Sequence, residues 1–237
     1  MTRLLVNGCS YMQCYAAGNG HVDLAKQLNI NSAISLALPG ACNSRIIRTT
    51  LKDSYQTSEK TLYIVGLTFL GRTELPIAYE EDLFEGKWIS IQNNLNPVLH
   101  YNDCWTVDEL TNFIKLKLKA ELYGIDDYLE QLMYQLLSMR NDLIGRGHSV
   151  IIFRNPEDRY DDQLSTPRFT QLAQCVNIVH GLKWAAIPWQ TTQAVKFKYE
   201  DMHLPAGCRH PMPGEHASLN NYLIKYINNH DIYLPVL

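Results

Sequence analysis

The chain has 237 residues, of which 46% are apolar and 19% charged, with 21 basic against 24 acidic side chains and a formal charge of −3. That size can bury a substantial core without disulfides or metals, and the composition excludes both a disordered chain and a strongly basic nucleic-acid binder. No run approaches the roughly 18 apolar residues of a membrane span, and the N-terminal apolar run is too short for a signal peptide. The sequence therefore predicts a cytoplasmic protein with no membrane or nucleic-acid partner. Six scattered cysteines without a CxxC pair predict thiols, not a disulfide framework.

In chain order, Arg3 to Val6 reads as a first strand stopped by Asn7-Gly8, and Val22 to Leu28 as a helix. Ala33 to Ala37 reads as a second strand ended by Pro39-Gly40. Ser44 to Tyr55 follows as a helix, with Asn43 placed to cap it. Thr61 to Leu67 is apolar enough for a strand buried on both faces.

Residues Glu74 to Trp105 break the pattern, being polar, proline-containing and studded with Tyr79, Phe84, Trp88, Tyr101 and Trp105. They predict an inserted loop or lid, with a hairpin turn at Phe84 to Trp88. Helices are expected at Leu110 to Leu122 and Tyr128 to Ile144. In the second, Leu129, Leu132, Met133, Leu136 and Leu143 form a core stripe. Ser149 to Phe153 and Leu182 to Ile187 complete the strands, and His216 to Asn228 closes the chain as a helix. The alternation predicts a single α/β domain over 1–237: a three-layer α/β/α sandwich around a parallel sheet of about five strands.

In such a sheet the ligand lies beyond the carboxyl ends of the strands. Gly8-Cys9-Ser10 follow the first strand, Gly40, Cys42 and Asn43 the second, and Thr68, Arg72 and Glu74 the third. Asp201, His203, Cys208, His210 and His216 precede or open the last helix. These are the parts of a serine hydrolase. A serine hydroxyl needs a base, histidine is the natural one, and the oxyanion needs donors such as backbone N–H groups. Ser10 is the candidate nucleophile and His210 the candidate base. Ser10, Gly40 and Asn43 are candidate oxyanion donors. Arg72 and Glu74 either pair with each other or bind substrate, and Trp88 and His216 are further candidates for the substrate wall. Cys9 as nucleophile and a zinc site from His203, Cys208, His210 and His216 are rival readings. Neither follows a known spacing.

Met12 rules out the GxSxG elbow. Val6-Asn7-Gly8-Cys9-Ser10-Tyr11 instead resembles the first block of the SGNH/GDSL hydrolases, in the GCSF/GCSY variant of many bacterial and phage proteins. Leu36 to Asn43 is similar to the second block, and His210-Pro211-Met212-Pro213-Gly214-Glu215-His216 to the last. The resemblance implies a flavodoxin-like sheet and an esterase or deacetylase that needs no cofactor or metal and acts on a small-molecule or glycan ester. Two positions depart from the family. Thr68 stands where its third block has the oxyanion asparagine, and Gly207 where its acid falls. Asp201 is then the candidate acid, or Ser10 and His210 act as a dyad. The same departures fit an inactive relative serving in binding or in oligomer or virion assembly.

Overall fold

The computed structural model describes residues 1–68, 72–76, 88–91, 107–154, 166–176, 178–183, 213–230 and 232. Strand β1 (Arg3–Gly8) leads through Cys9 into helix α1 (Ser10–Ala17), followed by α2 (Gly20–Gln27), β2 (Ser32–Ser35), α3 (Asn43–Gln56) and β3 (Thr61–Leu67). Two short strands, β4 (Thr73–Pro76) and β5 (Trp88–Ile91), precede α4 (Val107–Gly145) and β6 (Ser149–Arg154). Then come α5 (Pro167–Val176), β7 (Ile178–Lys183) and α6 (Pro213–Asn229).

The main sheet runs β2-β1-β3-β6-β7 with every pair parallel. Four strands form a regular ladder, and β7 joins its edge through a register shift between Phe153 and Arg154. This is the flavodoxin-like order, in which successive strands are added first to one side of β1 and then to the other. The crevice between β1 and β3 is the switch point, where ligands of such sheets bind.

Alternation along each strand builds the layers. Leu5, Tyr63, Val65 and Ile152 face one core with Ile46 and Ile47 of α3, Leu132 and Leu136 of α4, and Phe169 of α5. Leu4, Val6, Leu62, Ile64 and Phe153 face the other, with Met12 and Tyr15 of α1, Leu24 of α2, and Leu219 and Leu223 of α6. A strand buried on both faces reads as a continuous apolar run, as β1 and β3 do. The predicted stripe Leu129, Leu132, Met133, Leu136 and Leu143 is core throughout.

Several boundaries differ from those predicted. Residues after Ser10 form a helix that was not predicted, because SYMQCYAA lacks an apolar stripe. The helices expected at 110–122 and 128–144 are one element interrupted at Gly124, whose φ of −133° and ψ of 29° leave helical geometry. Helix α5 was not predicted, and β7 starts four residues before its expected Leu182. The expected hairpin takes the form of β4 paired antiparallel with β5, Thr73 opposite Ile91 and Pro76 opposite Trp88. The predicted turn at 84–88 falls outside the described residues except for Trp88. Among the described residues, no helix is long and apolar enough to cross a membrane.

At the amino end of the sheet, Arg3 pairs with Asp53, which also accepts from the Tyr63 hydroxyl at 2.8 Å. Beside them the Thr61 N–H donates to Nδ1 of His148 at 3.2 Å, a bond that requires this nitrogen to carry no proton. Burial holds the pKa of His148, and likewise that of His21, below the usual 6.5. Below pH 6.5 the unfolded chain therefore takes up protons that the folded one resists, so stability falls as pH drops through that value. Urea denaturation should show a midpoint that declines from pH 7 to 5.5. His148→Gln, which cannot titrate, should make that decline shallower.

Candidate active site

The turn that carries Ser10 is set by how closely β1 approaches β3. Gly8 lies opposite Gly66 in the register, and a Cβ on Gly8 would stand 2.8 Å from the Gly66 carbonyl oxygen and 2.5 Å from Cγ of Met12. Only glycine fits between them. Cys9 is the N-cap of α1, and its side chain packs, wholly buried, into the core under α3 and α4. Ser10 is thus the first residue of the helix, itself 7% exposed. It sits at the positive end of the helix dipole, among first-turn N–H groups that have no carbonyl one turn earlier to accept them.

Two segments are brought to the same edge. The chain after β2 keeps pairing with β1, Leu36 N–H donating to the Val6 carbonyl at 2.9 Å and Leu38 N–H to that of Gly8 at 3.1 Å. This carries the Pro39-Gly40 turn past the end of β1, with Gly40 at a φ of +73°. That left-handed backbone is available to glycine without strain. From the other side, β3 delivers Thr68, which is 5% exposed.

Asn43 joins the two sides. Its Oδ1 accepts the Thr68 N–H at 2.9 Å and its Nδ2 donates to the Thr68 carbonyl at 3.2 Å, as a neighbouring strand would. One hydrogen of the carboxamide is therefore engaged with Thr68, leaving at most the second for an oxyanion. Asn43 is also not the cap of α3 that the sequence suggested. Cys42 is, its Sγ accepting the Arg45 N–H at 3.4 Å. The Thr68 hydroxyl accepts from Arg72 Nη1 at 2.9 Å, so its own hydrogen points elsewhere.

A second carboxamide has no counterpart among the predicted site residues. Asn7 is fully buried, and its Oδ1 accepts the Gly8 N–H at 2.8 Å. Its Nδ2 lies 3.1 Å from the Ile46 carbonyl and 2.9 Å from each of the Thr49 and Thr50 hydroxyls. The end of β1 is thereby tied to the second turn of α3. In the sequence, Asn7-Gly8 signals only a turn.

Glu74 and Arg72 do not form the pair considered from sequence. Glu74 is bound by Arg48 of α3 at 2.8 Å, with 4% of its side chain exposed, and so fastens β4 to that helix. Nearby, burial and then the Glu74 carboxylate push the Cys42 thiol up to about 12, which leaves it protonated and unreactive at neutral pH. Arg48, the partner left behind, is 26% exposed and can turn to water, so losing Glu74 costs about 1 kcal/mol. Glu74→Ala should lower stability by about that amount in chemical denaturation.

His216 lies away from Ser10. It is buried against Tyr15, edge to face at 5.5 Å between ring centres, and fills the space over Gly18, where a Cβ would meet its ring at 2.4 Å. Between residues 10 and 18 lie about 12 Å of helix axis. The ring instead borders a cleft of about 360 Å³ between α2 and α6, with Gly18, Asp23, Lys26 and Asn220. The structure thus places His216 in the α6 seam, at the far end of α1 from Ser10.

His210, Asp201, Gly207, His203 and Cys208 lie outside the described residues, as does the side chain of Trp88. Among the described residues, no three His, Cys, Asp or Glu side chains converge as metal ligands would. What the structure brings together is Ser10, Gly40, Asn43, Thr68 and Arg72, at one edge of the switch point.

No family model and no curated protein sequence matches the chain. Solved structures with a similar arrangement include TesA, at 12% identity and a TM-score of 0.46 over 96% of this chain and 98% of that one. The psychrotrophic esterase EstA from a Pseudoalteromonas species is similar at 10% identity and a TM-score of 0.46, over 97% of this chain and 98% of that one. An acetyl xylan esterase, AlAXEase, is similar at 8% identity and a TM-score of 0.47, over 95% and 99%.

Proposed function

We propose that the protein is a serine ester hydrolase of SGNH type, with Ser10 as nucleophile and His210 as base. The observation that carries the reading is the placement of Ser10: first residue of α1, just past the carboxyl end of β1 at the β1/β3 switch point, the edge to which the Gly40 turn and Thr68 are also carried. The Ser10 hydroxyl oxygen attacks the ester carbonyl carbon while His210 takes its proton. The carbonyl electrons move onto oxygen and are held by the Ser10 and Gly40 N–H groups, the Thr68 hydroxyl and the second Asn43 amide hydrogen. As the intermediate collapses, the alcohol leaves with the proton from His210. Water activated by the same histidine then releases the acid and restores Ser10.

Arg72, already on the Thr68 hydroxyl, holds positive charge at the rim and favours a substrate that carries an anionic or strongly polar group. Asp201 orients His210 in the triad form of the proposal, and the residue at 207, a glycine, cannot. That glycine favours a second reading, an inactive relative that binds without turnover. The two are separated by incubating the protein with a fluorophosphonate and measuring intact mass, alongside hydrolysis of a short-chain aryl ester. A stoichiometric adduct on Ser10 with turnover supports the enzyme, and neither adduct nor turnover supports the binding protein.

A further inference from the structure

The second turn of α3 is gripped by a side chain that the proposed reaction does not use. Asn7 lies two residues before the nucleophile's N-cap, holds the Gly8 N–H, and reaches across to Ile46, Thr49 and Thr50. One turn earlier on the same helix, Asn43 grips the backbone of Thr68. The Thr49 and Thr50 hydroxyls donate in turn to the Arg45 and Ile46 carbonyls at 2.8 and 2.7 Å, so both can accept from Asn7. Every member of this network is within the described core, and Asn7, Thr50 and Asn43 are all but inaccessible.

From this geometry we infer that Asn7 is a positioning residue, which fixes the Ser10 turn relative to Thr68 by using α3 as a common strut. The inference rests on the serine-hydrolase reading for its effect on rate, but not for the coupling itself. The carboxamide is the one side chain of this length that donates to α3 and accepts from Gly8 at once. Its loss frees the β1 end to move against α3, and a displacement of about 1 Å at a reacting atom lowers rate about 100-fold. A carboxylate in its place accepts from Gly8 but meets the Ile46 carbonyl with a second acceptor. Once protonated, that carboxyl again offers one donor and one acceptor.

The test compares wild type, Asn7→Ala, Asn7→Asp and, as a control for lost stability alone, Leu143→Ala in the α4 core. Two quantities are read: the second-order rate of fluorophosphonate labelling, and hydrogen exchange in peptides covering 4–14 and 61–68. Asn7→Ala should label about 100-fold more slowly and exchange faster in both peptides, while Leu143→Ala, matched in thermal stability, does neither. The ratio of the Asn7→Asp rate to that of wild type should rise as pH falls from 8 to 6, because the buried carboxyl becomes protonated. Labelling of Asn7→Ala no slower than that of Leu143→Ala overturns the inference. If wild type itself does not label, the hydrolase reading fails, and exchange alone decides the coupling: faster exchange in both peptides upholds it, and unchanged exchange in 61–68 overturns it.

Discussion

Ser10→Ala should take no fluorophosphonate and hydrolyse no aryl ester above background, and His210→Ala should lower turnover by about 10⁴ to 10⁶. The two losses should not add. A nucleophile and its base act as a unit, so Ser10→Ala combined with His210→Ala is expected to be no worse than either variant alone. Ser10→Ala removes a single oxygen and keeps the Cβ at the first position of α1, where alanine is a good helix former. The thermal midpoint of Ser10→Ala should therefore match that of wild type, which separates lost chemistry from lost fold. Asp201→Asn then distinguishes triad from dyad. A fall of about 10⁴ in turnover identifies the aspartate as the group that orients the imidazole, and a fall under about 10-fold leaves Ser10 and His210 as a dyad. Equal activity in Ser10→Ala and wild type would sink the reading altogether.

Gly8→Ala is expected to have the largest effect on the fold for the smallest chemical change. The added methyl meets Cγ of Met12 at 2.5 Å and the Gly66 carbonyl oxygen at 2.8 Å. Met12 can swing aside, but the carbonyl belongs to the neighbouring strand and yields only if β1 and β3 part at their carboxyl ends. Overpacking of this kind costs about 1–3 kcal/mol, so the denaturation midpoint should fall accordingly. The same parting moves Ser10 against Thr68, and labelling should slow by about 100-fold or more. Gly8→Ala combined with Met12→Ala removes the Cγ contact and leaves those with the Gly66 carbonyl oxygen at 2.8 Å and the Met12 Cβ at 2.9 Å. Its stability should stay below that of Met12→Ala. If the two are equal, the backbone approach at Gly66 is not what demands glycine.

The central strands were legible in the sequence because a strand buried on both faces is a nearly unbroken apolar run, as in Leu4-Leu5-Val6 and Leu62 to Leu67. Strand β7 was placed late because His180 and Gly181 interrupt its apolar residues. Helix α1 escaped notice for a different reason. Met12 and Tyr15 share a core with Leu219 and Leu223 of α6, and Ser10 and Cys14 are buried as well, so the pattern along the chain is not a stripe. At the candidate site, the turns at Gly8 and Gly40 could be read because a glycine's place is set by the backbone it occupies. Glu74 could not be assigned its partner, since Arg72 is two residues away and Arg48 is 26, and only the packing of β4 on α3 brings Arg48 to it. Asn7 was read as a turn former for the same reason. A carboxamide shows which bonds it can make, not which helix will lie across from it.

The staples that α3 makes also order the site in time. Among the described residues, Ser10, Gly40, Asn43, Thr68 and Arg72 are all drawn from the first third of the chain, and α3 ties the end of β1, Thr68 and β4 together by contacts no more than 43 residues apart. His210 follows Thr68 by 142 positions, an interval of about 7 to 28 s at about 5–20 residues per second of synthesis. On the proposed reading, the ribosome thus completes the Ser10, Asn43 and Thr68 side of the site well before it makes His210, and the growing chain cannot turn over an ester until that residue follows.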